Sequence, residues 1–338
     1  MRIVHLSDLH FVRPGAMWKE VLKRLPYAVG GGAATWAYIL YCRQRRQDPD
    51  PKILVLLGGS TVLAALNVLR PLFTHWKAHD QAREALLVAL ARDRPDHVVV
   101  TGDFATFADP VEFRRASDFL KRLEGLVGPG RVTVTPGNHD APVPIGPNPM
   151  RRQPPERKFQ QYLSQFGSYH DVKPLFPAVR QHGDVCLVAM DSVTLSFPIN
   201  SNGLVSEEQL DRATDALHRP EARDSFKVLC LHHPLVLRSG LPTFSEESRL
   251  VTGPLENRDH VMRWAQESKI GLVLCGHDHT MYQETKHVPM YCAGSTPKLI
   301  DEQAPVSYRV FDVQGGGLEV ADRRVDPARV EDPQVALA

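Results

Sequence analysis

Charge of either sign in excess is nearly absent from this chain. Its 338 residues carry 40 Lys and Arg against 39 Asp and Glu, a formal net charge of +1. No global field exists to draw nucleic acid or an acidic membrane to the whole molecule, and nucleic acid is not an expected partner. Cysteine is also scarce. There are five, Cys42, Cys186, Cys230, Cys275 and Cys292, and none forms a CxxC pair. Cys186, Cys230 and Cys275 lie in or at the end of apolar runs, where a thiol acts as a small hydrophobe. An odd, scattered set argues against a disulfide framework and for a reducing compartment. The opening MRIVHLSDLH lacks the long apolar stretch and small-residue cleavage site of a secretory leader. It reads as a first core strand, and a cytoplasmic location is expected. No internal repeat is present. What is plentiful is apolar: 43% of the residues, enough for a sizeable core in one large domain or two modest ones.

A pattern of strand followed by polar loop recurs along the chain. Arg2 to Ser7 runs into Asp8-Leu9-His10. Asp96 to Thr101 runs into Gly102-Asp103, and Arg131 to Thr135 into Pro136-Gly137-Asn138-His139-Asp140. Phe226 to Leu231 runs into His232-His233-Pro234, and Ile270 to Cys275 into Gly276-His277-Asp278-His279. Each run is β-branched or Leu-rich, of strand length, and bounded by turn residues. Between them, Asp109 to Leu126, Ser206 to Leu217 and Arg258 to Ser268 have helical character. The first has Pro110 in its first turn, and the second opens with the Ser-Glu-Glu-Gln of a capping box. Alternation of strand and helix predicts an α/β domain with polar residues gathered at one rim of strand ends. Tyr308 to Val313 and Gly317 to Val325 flank a Gly-rich turn and read as a hairpin. Residues 326–338 read as a loose tail.

The residues at the strand ends suggest metal chemistry. Asp8, His10, Asp103, Asn138, His139, His232, His277 and His279 offer carboxylates, imidazoles and an amide oxygen, which suit Mn, Fe or Zn rather than a soft thiolate site. Taken singly, each motif is ordinary: Asp-x-His and Gly-Asp are common turn chemistry, and His-His-Pro can simply end a loop. Jointly, five such segments occur in order, each after a predicted strand. His5, inside the first strand, reads as core or as support for a ligand. Arg151, Arg152, Arg157 and Lys158 read as a solvated loop, with a mouth that attracts an anionic substrate as the alternative.

The series Asp8-Leu9-His10, Gly102-Asp103, Gly137-Asn138-His139-Asp140, His232 before His233-Pro234, and Gly276-His277-Asp278-His279 resembles the calcineurin-like metallophosphoesterases. Ala189-Met190-Asp191-Ser192 and Ala293-Gly294-Ser295 look similar as well. The resemblance implies a two-sheet β-sandwich flanked by helices, with two divalent or mixed-valence metal ions at the strand ends. It implies that Asp8, His10 and His279 hold the first metal, that Asn138, His232 and His277 hold the second, and that Asp103 bridges them. His233 remains an alternative to His232. His139 is implied to stabilise the transferring phosphoryl group or protonate the leaving oxygen, oriented by a hydrogen bond that Asp140 accepts. The implied reaction is hydrolysis of a phosphoester, of phosphodiesterase or pyrophosphatase type, by a metal-bound hydroxide. A soluble cyclic-nucleotide phosphodiesterase is the alternative, and a non-catalytic scaffold of the same fold is a third reading. A DNA-processing nuclease is disfavoured by the near-neutral charge and the short C-terminal region.

The chain departs from the family pattern between Asp8 and Asp103, which are much further apart than usual. The expected organisation is a catalytic domain of residues 1–13 and 78–325, interrupted by an apolar helical hairpin over 14–77. Leu25 to Cys42 and Ile53 to Leu69 carry no charge and approach the roughly 20 residues that cross a bilayer. Arg43, Arg45, Arg46 and Lys52 lie between them, against the positive-inside tendency if the hairpin crossed fully. A hairpin that dips into the cytoplasmic face would keep these charges at the headgroups. Residues 25–69 are therefore a candidate membrane contact, with a lipid-linked phosphoester as the matching substrate. A buried lid or a dimer surface is the alternative. Oligomeric state is left open.

Overall fold

The computed structural model describes residues 1–11, 76–106, 108, 110–140, 176–194, 202–236, 253, 255–294 and 306–326. Residues 14–75 of the expected hairpin at 14–77, the Arg-containing loop after Asp140 and most of the tail lie outside these residues, while Trp76 and Lys77 belong to a helix. In chain order the elements are β1 (Arg2–Leu6), α1 (Trp76–Asp93), β2 (His97–Thr101), α2 (Pro110–Val127), β3 (Val132–Thr135), β4 (Ala178–His182) and β5 (Val185–Ala189). They continue with α3 (Glu207–Leu217), α4 (Pro220–Arg223), β6 (Phe226–Cys230), α5 (Arg258–Glu267), β7 (Ile270–Cys275), β8 (Tyr282–Glu284), β9 (Met290–Cys292), β10 (Val306–Gln314) and β11 (Gly317–Val325).

Two mixed sheets result. One has the order β11-β10-β1-β2-β3, the other β4-β5-β6-β7-β9-β8. In the first, β1, β2 and β3 are parallel and the β10–β11 hairpin is antiparallel beside β1. In the second, β5, β6, β7 and β9 are parallel, with β4 and β8 antiparallel at the edges. Parallel strands covered on both faces need apolar residues at every position, which explains runs such as Val98-Val99-Val100. In the second sheet the period of two sorts these residues between layers. Leu187, Val228, Cys230, Leu272 and Leu274 join a core shared with the first sheet and with Leu86 and Leu90 of α1 and Phe113 and Leu120 of α2. Their neighbours Cys186, Val188, Leu229, Val273 and Cys275 pack with Leu210 and Leu217 of α3 and Val261 and Trp264 of α5. The expected two-sheet sandwich with flanking helices is the observed one.

Local signals behave as physics predicts, with one variation. Ser206 caps α3, its hydroxyl accepting from Gln209 N–H at 3.3 Å. The capping box is only half made, because Gln209 turns away from the helix end. Its amide accepts from Asp191 N–H at 2.9 Å and donates to Asp191 O at 2.8 Å, fastening the end of β5 to α3. Among the described residues, no helix is long and apolar enough to cross a membrane.

Candidate metal centre

Because the parallel strands of each sheet point the same way, the loops after β1, β2 and β3 share one rim, as do those after β6 and β7. The backbone there is unusual. Eight non-glycine residues among those described have positive φ, and five are Asp8 (53°), His10 (43°), Asp103 (53°), His277 (72°) and His279 (52°). Left-handed backbone is disfavoured for side chains beyond glycine and concentrates at functional sites. Here it turns each loop sharply after its strand, so that the side chains reach a common point.

Two glycines allow the loops to interlock. A Cβ on Gly137 would collide with the backbone nitrogen and carboxylate of Asp103. One on Gly276 would collide with Ser7 Oγ and stand 2.6 Å from Asp8 Oδ2. At both positions only a missing side chain permits the approach. Where Gly276 meets the first loop, His277 N–H donates to Asp8 Oδ2 at 3.1 Å, joining the two sheets.

The donors form two groups. In the first, His10 Nε2 and His279 Nε2 are 3.0 Å apart and Asp8 Oδ1 is 3.3 Å from His279 Nε2. Ligand atoms of Asp8, His10, Asp103 and His279 lie within 4.8 Å of one another. In the second, Asn138 Oδ1 stands 3.0 Å from both His232 Nε2 and His277 Nδ1, which are 3.3 Å apart. Asp103 Oδ2 is common to both groups, 3.7 Å from His10 Nε2 and 3.6 Å from His232 Nε2. All seven residues expected as ligands are thus gathered together.

Hydrogen bonding fixes the chemistry of the second group. His232 Nδ1 donates to Thr101 O at 2.8 Å, which leaves Nε2 as a bare lone pair in the neutral ring. Burial, with His277 nearby, lowers the His232 pKa to about 3, although the Asp8 charge opposes the shift. A neutral imidazole lone pair, a carboxylate oxygen and an amide oxygen facing one another are three acceptors, an arrangement that calls for a cation. The residues therefore fit a metal by the nature of their donors. At Asp8, burial raises the carboxyl, but His279, His232 and the Ser7 hydroxyl outweigh it and bring the pKa down to about 2. Asp8 is an anion at any physiological pH.

His233 is also near, its ring nitrogens grouping with those of His232 and His277. Its Nδ1 is 2.8 Å from Ser192 Oγ, and its ring packs against His277 with centroids 4.6 Å apart. A Cβ on Gly203 would collide with this ring. The distances to Asn138 and Asp103 belong to His232 rather than His233.

His139 lies at the edge of the first group, its ring edge-on to His10 at 5.0 Å. Its N–H donates to Asp103 Oδ1 at 2.8 Å. Its Nδ1 donates to Thr106 O at 3.0 Å, a partner that nothing in the sequence marked. This bond stands where one from the His139 ring to the Asp140 carboxylate was expected. Asp140 spends its oxygens on backbone amides instead, Ala105 N–H at 3.0 Å and Gly137 N–H at 2.9 Å. Burial pushes its carboxyl up to about 7 against those amides. Its position is that of a rivet between the loops after β2 and β3.

No curated protein matches the chain significantly. Among solved structures, a purple acid phosphatase from yellow lupin (Lupinus luteus) seeds is similar in fold. Its TM-score is 0.54 at 10% identity, over 100% of this chain and 55% of that one. A dimetal phosphatase from Danio rerio aligns with a TM-score of 0.45 at 14% identity, over 75% of this chain and 90% of its own. The Thermus thermophilus protein TT1561 aligns with a TM-score of 0.44 at 16% identity, over 72% and 94%. The family model described as calcineurin-like phosphoesterase matches residues 1–281, and the chain belongs to that family.

Proposed function

We propose that this protein hydrolyses a phosphodiester or pyrophosphate at a dimetal centre. Asp8, His10 and His279 would hold one ion, and Asn138, His232 and His277 the other. Asp103 would bridge them. The observation that carries this reading is the placement of Asp103 Oδ2 between two separate donor groups, 3.7 Å from His10 and 3.6 Å from His232. Two ions, when bound, supply Lewis acidity toward the phosphoryl oxygens and make water a better nucleophile near neutral pH. The donor set suits Mn, Fe or Zn.

The chain's own residues do the rest. Thr101 O holds the His232 ring so that its lone pair faces Asn138 and Asp103. Thr106 O fixes His139 with Nδ1 protonated, leaving Nε2 to meet the substrate. As an imidazolium, with Nε2 protonated as well, His139 would steady the charge of the transferring phosphoryl group or hand the Nε2 proton to the leaving oxygen. Asp140 supports this by locking the loop that carries His139, through backbone rather than through the ring. The charge-free stretches 25–42 and 53–69 favour a lipid-linked substrate reached from the cytoplasmic face of a membrane.

The test is hydrolysis of bis(p-nitrophenyl) phosphate by the full chain in detergent with Mn²⁺. Turnover should stop with chelator and in Asp103→Asn, which should also retain fewer than two ions. Asp103→Asn with wild-type turnover and full metal content would remove the bridging assignment.

A further inference from the structure

The carbonyls of Leu9 and His10 need donors. Both residues are fully buried, and a buried carbonyl is almost always paired. The amides of this loop face β2 and its loop: Asp8 N–H donates to Gly102 O, His10 N–H to Asp103 O and Phe11 N–H to Phe104 O, at 3.1, 2.9 and 2.7 Å. The carbonyls turn the other way, toward α1, and meet Arg83. Its Nη2 donates to Leu9 O at 2.6 Å and to His10 O at 3.1 Å. The guanidinium lies over the Phe11 ring, 3.9 Å from its centroid. Nη1 donates to Asp80 at 3.1 Å, and Arg115 of α2 grips the same carboxylate at 2.5 and 2.6 Å. The Arg83 side chain is only 4% exposed.

We propose that Arg83 is a positioning residue for the first metal site, fixing the backbone of Leu9 and His10 so that Asp8 and His10 face His279. The left-handed conformations at Asp8 and His10 persist only if something outside the loop holds them. Arg83 does so from one side and the Gly102–Phe104 backbone from the other. A lysine could reach the two carbonyls but has no second nitrogen to bind Asp80 at the same time and no planar group to stack on Phe11, which is why this position suits arginine. The inference rests on the assignment of Asp8, His10 and His279 as ligands.

The experiment compares the full chain with Arg83→Met, Arg83→Lys and Asp80→Asn. Mn²⁺ binding is measured by calorimetry against a competing chelator, and kcat and KM with bis(p-nitrophenyl) phosphate. Met keeps the stem over Phe11 but removes both donors. Arg83→Met should weaken one of two Mn²⁺ sites by about tenfold or more, as loss of groups behind metal ligands commonly does. It should lower kcat by a similar factor while KM stays within about twofold, and Arg83→Lys should recover part of both. Wild-type affinity at both sites with wild-type kcat, even with a lower melting temperature, would reduce Arg83 to packing and overturn the proposal. If Arg83→Met fails to fold, Arg83→Lys and Asp80→Asn decide by the same readings. Loss of affinity at one site supports the proposal, and two intact sites refute it. A wild-type chain that binds no Mn²⁺ overturns the dimetal reading itself, which separates that failure from failure at Arg83.

Discussion

His139 has one ring nitrogen committed to Thr106 O and its backbone amide committed to Asp103, so its place does not depend on holding a metal. His139→Ala should therefore leave two ions bound while lowering kcat by about 10²–10⁴, the usual contribution of a positioned acid–base group. Metal analysis beside steady-state kinetics checks this, and an emptied site would make His139 a ligand instead. Two other histidines act on stability. His5 is fully buried, and burial with Arg309 nearby lowers its pKa to about 3, against a weaker pull from Asp8. His97 is also fully buried, and burial with His182, Arg180 and Arg131 lowers its pKa to about 2. Above pH 6.5 both are neutral in folded and unfolded chains alike. As pH falls below 6.5, the unfolded chain gains protons that the folded one refuses, so stability is lost progressively toward pH 3 and 2. The slope is at most about 1.4 kcal/mol per pH unit for each ring. Because His232 adds to this loss and the raised carboxyl of Asp140 opposes it, His97 is read by difference. In urea unfolding of chelated protein at pH 7.5 and 5, His97→Gln, which can keep the hydrogen bond to Thr133, should lose less stability on acidification than the wild type, by up to about 2 kcal/mol.

The loops work as elements because they interlock, and Gly276 is where interlocking is tightest. Gly276→Ala should cut turnover with bis(p-nitrophenyl) phosphate by at least about tenfold and weaken Mn²⁺ binding, because the added methyl displaces Ser7 and Asp8. Circular dichroism should show the sandwich retained. A variant with normal metal binding would mean that the loops yield more easily than their packing suggests. At this scale the sequence was informative where burial was complete. The five strands that feed the site are short, almost fully buried runs rich in β-branched residues or Leu, and α2, α3, α5 and the β10–β11 hairpin fall within a residue or two of their expected limits. β4, with the sequence AVRQH, and β8, with only YQE, lie at sheet edges, half-exposed, and carry no apolar run to reveal them. The candidate ligands were legible because every one follows a strand in a short motif. Their supports were not. Thr106 acts through its backbone carbonyl, which any residue possesses, and Arg83 lies far from any motif in the chain. Ser192 was marked only by ending a strand.

At the scale of the whole chain, the proposed membrane contact lies in the segment between Phe11 and Trp76. Deleting residues 20–74 behind a short linker keeps α1 and Arg83 in place. If the segment is a membrane contact, the truncated protein should move from the membrane pellet to the soluble fraction and still hydrolyse bis(p-nitrophenyl) phosphate. Fractionation by ultracentrifugation reads the first outcome, and an unchanged pellet would remove the membrane reading. Loss of turnover with correct folding would point to a lid that shapes the site.

Each donor group draws on both sheets: Asp8 and His10 with His279 in one, Asn138 and Asp103 with His232 and His277 in the other. Neither group exists until the sheets have closed, and the residues that meet lie as far apart in the chain as Asp8 and His279. A cation can therefore do little for the early steps of folding, where such distant contacts are still unmade. It would act as a latch on the finished sandwich, deepening the native basin after the barrier has been crossed. Stripping it would shorten the lifetime of the folded state while leaving the rate of refolding nearly unchanged.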